Sequence, residues 1–338
     1  YEKDDIDRAI EADNNGGNPY SYVAQRDTIG HGTLLASISA GSYVNGYVGV
    51  APKSELLVVK LKESKQYLKD FFLIKDDVPA FEEGDIMLAM RFLADYAVRL
   101  GKPLIIIFGL GSANGSRTGA APLAEMMESL TKRPNISVVT CMGNEANNKC
   151  HYKGTVTSAL VPDVMEVNVD GTGKGFTMEI WAESLDILSV SIESPSGEFV
   201  PRIPARMGAS MEYTFLYEGS TVTVDYQITE NVAGMEVIFI RLSTPVEGTW
   251  KFYIYSLTNI RGSYNAWLPL KQFSGQDIYF LKSDPDTTLT VPAAADGVIS
   301  VGAYNHYTGA AYYESGRGYS ADGRIKPDFV APGVGVYG

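Results

Sequence analysis

A chain of 338 residues, 45% hydrophobic and 20% charged, is globular in composition and long enough for two domains or one large domain with an insertion. Its net charge of −12 argues against nucleic-acid binding and for a solvated acidic surface. The longest apolar runs, such as Pro103–Phe108, fall far short of the about 20 residues that span a bilayer, so no membrane span is expected in this segment.

Residues 1–17 read as a polar helix followed by a Gly/Asn-rich turn, with Asp4, Asp5, Asp7 and Asp13 as solvated helix residues. Next comes Asp27-Thr28-Ile29-Gly30-His31-Gly32-Thr33-Leu34-Leu35-Ala36. His31 is one of three histidines, flanked by two glycines that let the backbone turn tightly. The small and apolar residues after it predict a buried helix with His31 in its first turn. Such a histidine suits a general base working near neutrality, and it equally suits a plain helix cap. Val48–Lys60 then reads as a turn feeding a buried strand over Leu56–Leu61, followed by a polar segment, 62–79.

Asp85–Val98 has the apolar spacing of a helix and stops at Gly101. Leu104–Phe108 is an apolar run without alternation, as in a strand buried on both faces. Gly109-Leu110-Gly111-Ser112 follows it, either as an ordinary turn or as an extended edge able to pair with a peptide. Asn114-Gly115-Ser116 marks a turn, and Ala124–Leu130 another helix. Ser137–Met142 is a strand ending in Gly143-Asn144, which by itself is ordinary turn chemistry. Strands and helices alternating in this way imply a parallel sheet with right-handed crossovers. The only cysteines, Cys141 and Cys150, flank Asn144; they read as a small buried thiol at Cys141 or, less favourably, as a disulfide tethering that loop.

From about Val164 to Ser283 the texture changes to short strands with alternating polarity. Leu188, Val190 and Ile192 alternate with Ser189, Ser191 and Glu193; Val222, Val224 and Tyr226 alternate with Thr223 and Asp225. Met235–Leu242 and Trp250–Tyr255 are further strand candidates, with turns at residues 194–197 and 245–248. This pattern predicts an antiparallel sandwich, jelly-roll-like in topology. Tyr253, Tyr255, Tyr264 and Trp267 are candidates for stacking on sugars, or for its core. After it come Thr290-Val291-Pro292-Ala293-Ala294, the short strand Val298–Ala303 and the closing Lys326-Pro327-Asp328-Phe329-Val330-Ala331-Pro332-Gly333.

Taken together, His31-Gly32-Thr33, Gly143-Asn144 and Lys326-Pro327-Asp328 with Ala331-Pro332-Gly333 resemble, in order and spacing, the motifs of the subtilisin-like serine proteases (subtilases). The resemblance covers residues 1–162 and 284–338, and the stretch between them only weakly. With this insert position and the Asp27-Thr28-Ile29-Gly30-His31-Gly32-Thr33 context, the chain resembles the group found in clostridia and related gut bacteria, which includes spore-germination proteases. It implies an α/β fold with a three-layer core around a mostly parallel sheet, carrying an inserted antiparallel β-sandwich. The expected division is 1–163 for the first part of the core, 164–283 for the insert and 284–338 for the second part.

The resemblance also implies peptide-bond hydrolysis by an Asp-His-Ser triad, in which serine attacks, histidine takes its proton and aspartate orients the imidazole. In that scheme His31 is the base and Asn144 the side-chain donor to the oxyanion. Gly109, Leu110 and Gly111 correspond to the Ser-Leu-Gly edge that pairs with substrate, with Gly109 in place of the serine. Leu110, Gly111, Met142 and Thr290 lie near the pocket for the residue before the cut and suggest no charge preference. No apolar strand ending in Asp-Thr/Ser-Gly precedes His31, and Asp27 is too close to it. No Gly-Thr-Ser follows Gly333, and Gly208-Ala209-Ser210 lies in the wrong region. The expectation is therefore the middle of a longer subtilase, inactive as a peptidase by itself. Its partners would be protein or peptide substrates, with a propeptide or partner chain at the insert. The family suggests an extracellular, cell-envelope or spore location. No cofactor is implied; several subtilases bind Ca²⁺, but no ligand spacing here assigns a site. The competing expectation is a pseudoprotease that binds or regulates without cutting.

Overall fold

A computed structural model describes residues 1–182, 186–229 and 233–338. The chain falls into two compact units, residues 1–62 with 336–338, and residues 63–335.

In the first unit, α1 (Lys3–Asn14) opens with a capping box between Glu2 and Asp5, and acidic side chains in its first turn favour the positive end of the helix. Helix α2 (His31–Ala40) begins at the histidine. Its last carbonyls are taken up by a following strap: Val50 N–H donates to Ile38, Ala51 N–H to Ser39, and Gly49 N–H to Gly41. The expected burial of α2 is not found. None of its residues is buried, because two short helices joined by coil supply no second layer to cover an apolar stripe. Leu56–Leu61, expected as a buried strand, joins no sheet among the described residues, and Leu56 and Val58 are exposed. Without a neighbouring strand to take its backbone hydrogen bonds, high β-propensity alone does not make it a strand.

The second unit starts with α3 (Gln66–Phe71) and α4 (Glu83–Leu100), the latter closed by Gly101 at φ +64°. Then follow β1 (Leu104–Phe108), α5 (Pro122–Thr131) with proline in its first turn, and β2 (Ile136–Cys141). Eleven strands come next: β3 (His151–Thr155), β4 (Asp163–Asp170), β5 (Gly175–Ala182), β6 (Leu188–Glu193), β7 (Phe199–Ile203) and β8 (Ser210–Thr214). They continue as β9 (Thr221–Gln227), β10 (Val237–Ser243), β11 (Gly248–Ser256), β12 (Ser263–Trp267) and β13 (Asp277–Phe280). The unit ends with β14 (Ile299–Tyr304) and β15 (Phe329–Pro332).

A four-stranded parallel sheet runs β1-β2-β14-β15, with α4 against β1 and α5 against β2. Strand β1 is at its edge and only one side is covered: Ile106 and Phe108 are buried while Ile105 and Ile107 are 67% and 51% exposed. This corrects the expectation of a strand buried on both faces; the helix packs on one face alone.

The other strands form two antiparallel sheets, β3-β12-β5-β10-β9-β8 and β13-β4-β11-β6-β7. They close on one apolar core that includes Trp250, Phe252, Phe176, Phe215 and Tyr264. The alternation read from the sequence is what directs one side chain in two inward. In β6 both sets are buried, since Arg202 crosses the outer face and its Nε donates to Ser189 at 2.7 Å. The sandwich takes its first strand from His151–Thr155, ahead of the expected boundary at 164, because β3 pairs residue by residue with β12. With most strands antiparallel and helices few among the described residues, the chain is sheet-rich where a core of α/β layers was expected. Tyr264 and Trp267 are 0% and 2% exposed, so they belong to the packed interior and not to a sugar-stacking surface. Both cysteines are free thiols.

Candidate functional site

Because β1 and β2 run parallel and in register from Leu104↔Ile136 to Phe108↔Thr140, their C-terminal ends open side by side. In open α/β sheets this is the edge where binding sites form. Gly109, Leu110 and Gly111 continue from β1 and are half-buried; Met142, Gly143 and Asn144 continue from β2.

A third segment ties the two ends together. Thr290 N–H donates to the Met142 carbonyl at 3.0 Å, and Val291 N–H to the Ser112 carbonyl at 3.0 Å. The Thr290 hydroxyl donates to the Cys141 carbonyl at 3.2 Å, and the Cys141 thiol points at the Leu110 carbonyl at 3.7 Å. From the far side, Gly316 N–H donates to the Gly143 carbonyl and Ala146 N–H to the Glu314 carbonyl. The structure thus brings Leu110, Gly111, Met142 and Thr290 into one constellation.

Both glycines are required by crowding. A β-carbon on Gly111 would lie 2.4 Å from Thr290 Cγ2, and one on Gly143 would lie 2.5 Å from the same methyl. Gly143 also has φ +83°, a conformation costly for any other residue. Asn144 follows it and is exposed, with its backbone carbonyl accepting from Asn148 Nδ2 at 3.2 Å. Met142, expected beside the substrate, instead turns its side chain into a small core with Leu289, Ala293 and Ala294 and offers only its backbone to the site. Glu145 is half-buried, and its desolvation raises its carboxyl pKa despite a hydrogen bond from Asn148 at 2.8 Å. Burial likewise raises the Cys141 thiol, and pushes Cys150 up to about 12, so neither is a ready nucleophile.

Beneath Thr290 lies a cavity of about 10 Å³, bordered by Arg117, Glu145, Cys150 and Trp267. Arg117 was not singled out by the sequence reading. It is 3% exposed, lies 4.4 Å over the Trp267 ring and donates from Nη1 to the Gly115 carbonyl. Nothing in the spacing around Arg117 announces that role, because its partner is 150 residues away. Gly143 sat inside a recognised motif, but its need to lack a side chain depends on Thr290.

In the first unit, His31 is the first residue of α2 and is exposed. Gly30 precedes it at φ +84°. Asp27 holds this turn: Oδ1 accepts from the Ile29 and Gly30 amides at 2.9 and 2.8 Å, and Oδ2 from the Thr33 amide and hydroxyl at 3.1 and 2.7 Å. Those donors, led by Gly30 N–H and the Thr33 hydroxyl, hold its carboxyl well below the usual carboxylate range. Asp27 therefore serves as a cap. Among the described residues, no group of three or more His, Cys, Asp and Glu is placed to hold a metal ion. No helix of the described residues is long and apolar enough to cross a membrane.

The sequence pattern of the subtilase family matches residues 246–337, which takes in the last strands of the sandwich and the segment from Thr290 to the Ala331-Pro332-Gly333 turn. No curated protein matches the chain. Among solved structures, the CspB protease of Clostridium perfringens superposes with a TM-score of 0.82, covering 98% of this chain and 68% of that one at 27% identity.

Proposed function

Because the chain is a subtilase-like protein, we propose that it supplies the general base and the oxyanion site of a serine endopeptidase. The observation that supports this best is the pair of parallel strand ends at Gly111 and Asn144, joined through Thr290. Peptide would lie along Gly109–Gly111 as an added strand, which gives affinity through the backbone without demanding one sequence. The carbonyl to be cut would sit at Asn144, whose side-chain amide stabilises the negative oxygen of the tetrahedral intermediate. Loss of such a donor costs roughly 2.7–4 kcal/mol of barrier. His31 would take the proton from the attacking serine and return it to the leaving amine. Leu110, Gly111 and Thr290 would form the pocket for the residue before the cut, with Met142 fixing their backbone. The parallel sheet with α4 and α5 would belong to a three-layer core, and the sandwich would be a jelly-roll-like insert serving as the docking face for a propeptide or partner chain. The expected location is extracellular, at the cell envelope or in the spore, and no cofactor is required for this chemistry.

Hydrolysis also needs a nucleophile, and the 338 residues contain no Gly-Thr-Ser sequence. By themselves they are expected not to turn over peptide. With Asp27 committed to capping, a second reading is a pseudoprotease that binds peptide without cutting it. Fluorophosphonate labelling of the natural gene product, beside His31→Ala and the 338-residue chain, separates the two. Labelling of the gene product alone, abolished in His31→Ala, supports the peptidase. A folded product that does not label moves the assignment to the pseudoprotease.

A further inference from the structure

We propose that the loop between β8 and β9 is an anchor for a partner protein, with Leu216 and Tyr217 entering an apolar cleft whose rim is basic. The inference deepens the reading of the sandwich as a docking face and rests on it.

Residues 215–220 join β8 to β9, and β8 and β7 are each the last strand of their sheet. Phe215 is fully buried and meets the Trp250 ring edge-on, with centroids 5.0 Å apart. Its amide donates to the Ser220 carbonyl, and its own carbonyl accepts from Gly219, which turns the chain at φ +68°. The two residues between are left outside: Leu216 is 85% exposed and Tyr217 83%. A single exposed apolar side chain is ordinary, but turn chemistry favours glycine, proline and small polar residues. Two large neighbours this bare in a hairpin loop are not explained by the turn itself.

Their backbone is pinned from the other sheet. The Leu216 amide donates to both oxygens of Glu198, at 3.0 and 2.8 Å, and the Tyr217 amide to Oε2 at 3.1 Å. The Tyr213 hydroxyl donates to Oε1 at 3.0 Å. In return, the Ser196 amide donates to Glu218 Oε1 at 3.2 Å, so the turn before β7 and the hairpin hold each other. A backbone fixed before the partner arrives loses little freedom on binding, which leaves more of the contact energy as affinity. Tyrosine is among the residues that most often anchor an interface. Glu198, Glu212 and Glu218 lie in the two segments that build the tip, 194–200 and 210–221, which contain no lysine, arginine or histidine. Such an acidic rim is complementary to a basic one. It is repelled by anionic lipid headgroups and by a second copy of this chain, whose net charge is −12.

The test uses the 338-residue chain, a displayed library of random dodecapeptides, and phosphatidylcholine vesicles with and without phosphatidylglycerol. Selected peptides are mapped by backbone amide shifts across the sandwich and titrated against the native chain, the double variant Leu216→Ser/Tyr217→Ser, and Glu198→Ala. The double variant changes only exposed side chains, so it keeps the fold even if Glu198→Ala does not. Selected peptides are expected to combine apolar residues with lysine or arginine and to shift the amides of Leu216 and Tyr217. In the double variant their affinity is expected to fall at least about tenfold. Glu198→Ala keeps both side chains but frees their backbone, and a loss of about 2–10-fold is expected. Binding elsewhere on the sandwich, undiminished in the double variant, overturns the tip as the anchor and leaves the docking-face reading standing. Acidic selected peptides, vesicles that shift Leu216 and Tyr217, or self-association abolished by the double variant each overturn the proposed partner. If no probe shifts any amide of the sandwich, the docking-face reading falls and this proposal falls with it.

Discussion

The Arg117 guanidinium lies 4.4 Å over the ring of Trp267, joining the loop after β1 to a strand of the sandwich. Both side chains are at most 3% exposed. Burial lowers the Arg117 pKa to about 10, with the charges of Glu179 and Glu145 acting against that shift. Trp267 is fixed in turn by its indole N–H, which donates to the Thr287 carbonyl at 3.0 Å. A planar cation stacked on a ring is not replaceable by a point charge. Arg117→Lys is therefore expected to lower the stability of the unit by about 2 kcal/mol, the scale of a desolvated cation–π contact. Urea unfolding checks this; an unchanged midpoint would show that the stack contributes nothing.

His151 stacks on the same indole, with ring centroids 4.9 Å apart and 14° between planes. It is fully buried, and Nε2 pairs with Asn265 Oδ1 at 3.0 Å. Burial lowers its pKa, outweighing the Asn265 hydrogen bond and the charge of Asp284. The folded protein thus resists protonation that the unfolded chain accepts at an ordinary histidine pKa near 6.5. Stability is complete above that pH and declines as pH falls toward the lowered folded value. NMR titration of the ring is expected to find His151 neutral at pH values where an ordinary histidine is half protonated. A ring titrating near 6.5 or above would contradict the burial argument.

Much of this architecture is legible in local pattern. The start of α2 follows from Gly30 before a helical run, and β6, β9, β10 and β11 follow from period-two alternation. The features that escaped are long-range. Leu56–Leu61 has strand composition but joins no sheet among the described residues, and the uncovered side of β1 depends on which layers pack there. Met142 reads as a pocket residue by position, yet its side chain is drawn under the loop by Leu289 and Ala293. The crowding of Gly111 and Gly143 depends on Thr290, which arrives after the whole sandwich has intervened.

Asp27 accepts four hydrogen bonds at the turn before His31, and its carboxyl is held well below the usual range. Because the folded pKa is depressed, the cap is at full strength above the unfolded value near 3.8 and weakens only as pH falls below it. Asp27→Ala is expected to speed amide hydrogen exchange at Gly30 and Thr33 while leaving β2 and β14 unaffected. Asp27→Asn, which still accepts from backbone amides, should restore part of the protection. Equal exchange in all three proteins would remove Asp27 as the organiser of the His31 turn.

Glu236 is 3% exposed and its Oε2 accepts from the Leu188 amide at 2.6 Å. Oε1 has no hydrogen-bond partner among the described residues. Burial, aided by the nearby charge of Asp186, pushes this carboxyl up to about 8. A proton held in the fold and lost from the unfolded chain near 4.5 stabilises fully below that pH, and the contribution is lost as pH rises through 8. Glu236→Gln keeps an acceptor for Leu188 and has no proton to lose. At pH 8 it is expected to be more stable than the native chain by on the order of 2 kcal/mol, with the advantage disappearing near pH 4. Thermal melts across that range read the difference directly, and parallel pH profiles would refute the assignment.

Gly111 and Gly143 both lie against the Thr290 methyl, but they differ in backbone. Gly143 sits at φ +83°, whereas Gly111 does not occupy the left-handed region. Gly111→Ala thus fails by overlap alone, at a cost of about 1–3 kcal/mol for an overpacked interior. Gly143→Ala adds backbone strain to the same overlap. Thr290→Gly removes the colliding methyl from both. Combined with Gly111→Ala it should recover most of the lost stability, and with Gly143→Ala only part. The coupling energies from the two double-mutant cycles measure this, since residues in direct contact are where additivity fails. Equal rescue of both alanine variants would mean that the left-handed turn at Gly143 carries no strain, and no rescue of either would mean that Thr290 is not what excludes a side chain from the two strand ends.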